Sequence, residues 1–479
     1  MTMPHVVVVG GGISGLAAAW FLSSGPKGPR ARVTVLESDE QVGGKLKVRE
    51  FAGLDVDSGA EALLATRTEA VNLCAELGLD VVPAVTTQAG IYSRGALRPI
   101  PSGMLTGVPT DLRSLAASGI LSLRGLLRIP LDHMIPRTVL HGDVSVGDYV
   151  STRLGAEVTS RLVEPMLGGV YAGRADDLSL QMTVPALYRA AGQRKSALDA
   201  AGSVLADGRK TMGPRRGPIF VGLKGGVGRL PQELASALRQ RGVDVRTSVA
   251  ARDVTRKDSG WTVTCVNARG RRERIDADAV LFSTPAPITG ELLDQVNTAA
   301  AAELKGIEYA DVVVVTLAYP ASQTHHLSGS GFLVPPAEGR AVKGVTYSTS
   351  KWGWLARDAR TGSRDGLMIL RASLGRAGDV ITPTLDDDEL IRIAAEDVAD
   401  LAGLPAHPLA GMVTRWDTGL PQYAVGHRTR VAEIRELLIN TPGLAVCGAA
   451  YEGVGIPACI GSAQAAVSTV MQQIAERAE

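Results

Sequence analysis

The sequence predicts an α/β protein, on three observations. The chain opens on an apolar strand that passes through a glycine turn into a small-residue helix, HVVVVGGGISGLAAAWFL. It closes on a second strand, glycine loop and helix, GLAVCGAAYEGVGIPACIGSAQAAVSTV. The composition is 45% hydrophobic but only 4% aromatic, so the core is mostly Ala, Val and Leu, which suits helices packed on a parallel sheet and argues against disorder. At 479 residues the chain is too long for one ordinary core. Strand–loop–helix units at both ends imply one discontinuous Rossmann-like domain, with a mixed-sheet domain and a small helical domain inserted between its parts.

His5 to Val9 reads as a buried parallel strand and Ser14 to Leu22 as the helix after the turn. Gly10 permits the tight turn, Gly12 admits a pyrophosphate to the backbone, and Gly15 lets helix and strand pack closely. Ile13 and Ser14 sit at the helix start, where free N–H groups and the positive end of the dipole attract phosphate. The next strand, ARVTVLE, ends in Glu37, placed to accept hydrogen bonds from ribose hydroxyls. Glu37 follows Gly10 by 27 residues, against a usual interval of about 20; the excess is the Gly/Pro-rich loop SSGPKGPRA. Gly43 and Gly44, followed by the cation Lys45, can wrap the far side of a dinucleotide. GLDVDSGAEAL, with Asp57 and Gly59, comes next, and then a helix from Thr68 to Leu77 with Cys74 in its core face.

Between residues 94 and 140 the chain is apolar, broken by Pro and Gly, and carries six Arg from Arg94 to Arg137. Such segments can rest on an anionic surface, line a pocket for an anion, or be solvated helix faces. GRKTMGPRRGP, residues 208–218, predicts a loop. A helix near Leu230 to Arg239, the strand VDVRTSVAARDV containing Val249, and the buried strand DADAVLFSTPAP then resume the nucleotide-binding pattern. From about 290 to 430, strands such as DVVVVTLAY and GLMILRASL alternate with a helix near Asp387 to Leu401. At the end, Gly448 closes a strand, and Val454, Gly455 and Ile456 bring backbone and a helix N-terminus to the ligand from the opposite side. The domains so drawn are 1–80, 219–290 and 436–479 for the nucleotide-binding domain, 81–93 and 291–435 for the substrate domain, and 94–218 for the helical one.

The extended glycine pattern resembles the flavin-containing amine oxidase superfamily, which usually has Arg at the position of Lys45. Within it, YEGVGIPACI, EPMLGGVYAGRADDLSLQMTVPAL and LPQYAVGH are similar to the porphyrinogen oxidases of the Gram-positive bacterial type, which form coproporphyrin or protoporphyrin. The resemblance implies FAD in the nucleotide-binding domain, with Val249 at the adenine. It implies oxidation of a porphyrinogen in haem biosynthesis, by hydride transfer from a ring methylene to flavin N5. Dioxygen would reoxidise the flavin to give hydrogen peroxide. No catalytic side chain is implied, because the cofactor carries the chemistry. The resemblance puts Tyr171, Ala172 and Gly173 where the macrocycle sits and Arg67 where a cation meets a propionate, and makes Tyr423 and His427 further substrate candidates. The six arginines favour coproporphyrinogen, with four propionates, over protoporphyrinogen, with two. An amine oxidase or carotenoid desaturase, and a flavoprotein that binds a porphyrin without turnover, are the alternatives. Expected partners are the porphyrinogen, dioxygen and the next enzyme of the haem route.

A net charge of +1 gives no general attraction to nucleic acid. The four cysteines lack CxxC spacing, so neither a structural zinc site nor a disulfide framework is expected, and no metal. No signal peptide and no run of about 18 apolar residues is visible. The expectation is a cytoplasmic protein whose membrane contact is peripheral at most.

Overall fold

The computed structural model describes residues 3–25, 28–212, 217–361 and 366–478. Its first sheet is parallel throughout, in the order Asp244–Arg246, Arg32–Leu36, His5–Val9, Ala279–Phe282 and Leu444–Val446. His5–Val9 is central and buried along its length, which is why it reads as an unbroken apolar run. Helices Ile13–Leu22, Arg229–Gln240 and Ile456–Ala478 cover one face around Leu16, Leu234 and Ile460. The other face is covered by an antiparallel three-stranded sheet and by helices Ala286–Leu293, Thr298–Lys305 and His427–Ile439, around Trp261, Phe282 and Ile434. Three separated stretches of chain therefore share one sheet.

VDVRTSVAARDV differs from expectation. It divides into Asp244–Arg246, which joins the parallel sheet, and Val249–Lys257, which starts the antiparallel one. Ser248, at φ 55°, makes the corner, a left-handed conformation that ends a strand.

A seven-stranded mixed sheet forms the second layer, ordered Ala410–Pro421, Tyr309–Pro320, Leu367–Leu374, Gly344–Tyr347, Gly331–Leu333, Gly90–Ser93 and Ala96–Pro99. Its pairings are antiparallel except that between Gly331–Leu333 and Gly90–Ser93. The Gly90–Ser93/Ala96–Pro99 hairpin spans residue 94. Helix Asp387–Ala402 packs Leu390, Ala394 and Val398 against the sheet. Its ends follow local rules: the Asp386 carboxylate accepts from the Glu389 N–H at 2.8 Å, and Gly403 closes it at φ 67°.

The third unit is helical, centred on Val150, Leu162, Leu180 and Ala200. The fully buried Arg153 pins it together, donating to Asp132 Oδ1 at 2.5 Å and to the Asp132 and Pro136 carbonyls at 2.9 and 2.7 Å. Helix Ala197–Met212 overturns the loop expected from residue 208 onward. One glycine, Gly208, does not outweigh the helix formers around it, and Arg209 and Lys210 suit the negative end of the dipole. Residues 213–216 of that stretch lie outside the described residues. Among the described residues no helix is long and apolar enough to cross a membrane.

Candidate active site

The site is built from the end of the His5–Val9 strand. Gly10 turns the chain at φ 104°, and a side chain there would stand 2.6 Å from Ser283 Oγ. Gly12 begins helix Ile13–Leu22 with no side-chain cap, so first-turn N–H groups are left for a ligand. A Cβ on Gly12 would meet nothing within 4 Å: the space in front of the helix is a cradle that any side chain would fill. Gly43 is bridged to Gly12 and donates its N–H to the Gly11 carbonyl at 2.9 Å, which lays the second glycine pair against the first.

Glu37 is committed to this loop more firmly than the sequence suggests. Its Oε2 accepts the Gly11 N–H at 2.7 Å and its Oε1 the Asp39 N–H at 2.9 Å, leaving further lone pairs for a ribose. Gly11, which no spacing rule singled out, must lack a side chain because a Cβ would lie 2.8 Å from Glu37 Cβ. Val249 donates its N–H to the Glu37 carbonyl at 2.8 Å.

The C-terminal loop closes the other side. Gly448 donates to Ser462 Oγ at 2.9 Å. Tyr423 is fully buried; its hydroxyl donates to the Ala449 carbonyl at 2.5 Å and accepts the Gly453 N–H at 2.7 Å. His427 stacks on the Tyr423 ring at 4.4 Å and donates from Nε2 to the Ala450 carbonyl at 2.8 Å. Tyr171 packs against Tyr423 with ring centroids 5.6 Å apart, tilted by 49°. These three aromatic side chains brace the loop from behind. Tyr451 is also turned into the core.

Burial pushes the His427 pKa down to about 4. Because the unfolded chain titrates near 6.5, it binds a proton between pH 6.5 and 4 that the folded chain refuses, so stability is lost as pH falls through that window. Melting of the protein at pH 7.0, 6.0 and 5.0 should show a falling midpoint, and His427→Gln should flatten that slope; an unchanged slope would remove His427 from the loop's support.

Between the two loops and the seven-stranded sheet lies one cavity of about 880 Å³. All the residues expected to hold a cofactor line it except Gly15 and Gly455. Gly15 packs instead: a Cβ there would fall 2.0 Å from the Gly10 carbonyl oxygen. The ammonium of Lys45 donates to the Thr418 carbonyl at 2.7 Å, and burial pushes its pKa down to about 8. Of the residues expected at the macrocycle, Tyr171, Ala172, Gly173, Tyr423, His427 and Arg67 all lie off the cavity wall. Arg67 is at the surface, paired with Glu69 at 2.5 Å. Gly169, two residues before Tyr171 on helix Glu164–Tyr171, is on the wall instead.

None of the six arginines from Arg94 to Arg137 lines the cavity. Arg94 and Arg98 donate to the Leu121 and Ser93 carbonyls, and Arg128 to those of Thr152 and Arg153. The cations on the wall are Lys45, Lys47, Arg252, Lys343 and Arg371. Sequence spacing gave no signal for Lys343 or Arg371, which sheet register brings there.

The family model for flavin containing amine oxidoreductase matches residues 13–471. The chain belongs to the flavin-containing amine oxidoreductase family. It is 35% identical to the coproporphyrinogen III oxidase of Mycobacterium bovis over 479 residues, covering 99% of each chain. It is 31% identical to that of Bacillus subtilis over 475 residues, covering 98% of each. Among solved structures it is similar to a candidate protoporphyrinogen oxidase from Exiguobacterium sp. 255-15, with a TM-score of 0.85 and 27% identity over 99% of this chain and 100% of that one. This member of the flavin-containing family is an oxidoreductase whose cofactor is FAD. The residues fit that group: an open cradle at Gly12, an uncapped helix start, an acidic residue at the end of the second strand, and a cation at Lys45.

Proposed function

We propose that this chain is a coproporphyrinogen III oxidase, converting coproporphyrinogen III to coproporphyrin III in haem synthesis. Dioxygen is the final electron acceptor and leaves as hydrogen peroxide. The observation that carries this reading is a cavity running from the glycine loops onto the face of the seven-stranded sheet, in a chain similar along its whole length to coproporphyrinogen III oxidases.

When bound, FAD supplies the two-electron acceptor for each oxidation of the macrocycle. The chain's own residues do the rest. Gly10, Gly12, Ile13, Ser14, Gly43 and Gly44 offer backbone to the pyrophosphate, with Gly15 holding helix to strand behind them; Lys45 adds charge from the wall. Glu37 takes the ribose, and Val249 borders the adenine end. Gly448, Val454, Gly455 and Ile456 form the loop and helix start at the flavin end, held in place by Tyr423 and His427. Val312, Val314 and Leu333 give the sheet face an apolar floor on which the macrocycle can rest. No wall carboxylate or histidine needs to act as a base.

The test is oxidation under air by the purified, flavin-loaded protein. Coproporphyrinogen III should give porphyrin fluorescence well above the autoxidation blank, with peroxide formed alongside. Faster turnover of protoporphyrinogen IX would favour the second reading, to which the Exiguobacterium structure lends weight. Peroxide from amines with neither porphyrinogen oxidised would overturn both.

A further inference from the structure

We propose that Lys343 is a substrate-binding residue that takes a propionate carboxylate; the inference rests on the porphyrinogen reading above. Among the cations on the cavity wall, three are already engaged. Lys47 is paired with Asp39 at 2.8 Å, Arg371 with Glu61 at 2.9 Å, and Lys45 is tied to the Thr418 carbonyl at the glycine loops. Arg252 sits beside Val249, at the adenine end.

Lys343 is at the other end, just before the Gly344–Tyr347 strand. It is 5% exposed and makes no ion pair among the described residues. Its ammonium donates to the Leu374 and Gly375 carbonyls at 3.3 and 2.5 Å, which leaves one of its three N–H groups without a protein acceptor. The charged neighbours that act on it are Arg376 and Asp379. Arg376 donates to the Val334 carbonyl, and the Asp379 carboxylate is spent on Thr382 and the Ile381 N–H.

A buried ammonium without a counter-ion is unfavourable unless a ligand supplies one. Burial, with a smaller push from Arg376, lowers its pKa to about 7, so an arriving carboxylate would restore the full charge. The place suits a macrocycle substituent. Leu333 pairs with Gly344 and comes within 3.3 Å of the Cβ position of Gly169, so Lys343 stands where the GGVYAG helix meets the sheet. A porphyrinogen resting on the apolar floor would point its carboxylates outward, toward such a rim.

The experiment compares holoenzyme with Lys343→Met and Lys343→Arg. Lys343→Met should raise KM for coproporphyrinogen III about 10-fold or more, with kcat near wild type, and weaken coproporphyrin III binding in a fluorescence titration by the same factor. Lys343→Arg should restore most of both. Flavin absorbance and the melting midpoint should hold in each variant. Unchanged KM and porphyrin affinity in Lys343→Met would overturn the assignment. So would a loss of kcat, KM and melting midpoint together that arginine fails to rescue, since that marks a purely structural tie to the Leu374–Gly375 turn. If the wild-type protein oxidises neither porphyrinogen, the functional reading itself falls, before any variant is made.

Discussion

Gly12→Val should fold and purify like the wild-type protein but emerge colourless, with FAD affinity reduced about 100-fold or more. The two halves of that expectation come from different facts. Gly12 sits at φ −71° and ψ 177°, ordinary extended backbone in which valine is comfortable, and its Cβ would touch nothing within 4 Å. The apoprotein therefore has little to lose. The same empty space lies before the uncapped start of helix Ile13–Leu22, where a pyrophosphate must approach the N–H groups. Displacing it by the width of a side chain forfeits two charge-assisted hydrogen bonds at about 1.5–3 kcal/mol each, which is where the 100-fold comes from. Gly15→Ala is the contrast: its methyl would lie 2.0 Å from the Gly10 carbonyl oxygen, so it should destabilise the apoprotein as well. Absorbance at the flavin band and apoprotein melting separate the two. A yellow Gly12→Val protein with normal FAD retention would remove the glycine cradle from the cofactor site.

Why the glycine-loop half of this cavity was legible in the sequence, and the sheet half was not, follows from the range of the interactions. Gly10, Gly12 and Glu37 act through a strand, a turn and the next strand, so their spacing is fixed by backbone geometry within one βαβ unit. Gly43 and Gly44 are adjacent in chain to that unit and bridge back onto Gly12. Even here Gly11 escaped notice, because its need for a bare Cα comes from the Glu37 side chain folding back over it. The sheet side of the cavity depends on register between distant strands. Thr346 pairs with Arg371, and Leu333 with Gly344, and no local pattern encodes either pairing. Charge was misread for the same reason: a run of arginines states how much charge a segment carries but not which way it points, and carbonyls of the helical unit take up Arg94, Arg98 and Arg128. Tyr423 and His427, expected on the substrate side from the resemblance, are buried and support the C-terminal loop.

Glu61→Gln, one residue behind the cavity wall, should be strongly destabilising, at about 3–5 kcal/mol, because it strands two cations in the interior. Glu61 bridges Lys351 at 2.6 Å and Arg371 at 2.9 Å, with side chains 16% and 8% exposed, and it accepts from Ser348 Oγ at 3.1 Å. Burial alone would push its carboxyl up, but Lys351 and Arg371 together hold it at about 2. Its folded pKa therefore lies below the unfolded value of 4.5, so its contribution is complete above pH 4.5 and lost as pH falls from there toward 2. Denaturant unfolding at pH 7 should show the full penalty for Glu61→Gln, and the variant should lose stability less steeply than wild type between pH 4.5 and 2. Arg371 also supports the wall directly, with a guanidinium that donates to the Gly59 carbonyl and an Nε that has no hydrogen-bond partner among the described residues. A double-mutant cycle with Arg371→Met separates these parts. If the penalty comes from stranded charge, adding Arg371→Met to Glu61→Gln should recover part of it, because the worst uncompensated cation is then gone. Strict additivity of the two changes would mean that Glu61 and Arg371 stabilise the fold independently, and that the short distance between them carries no coupling.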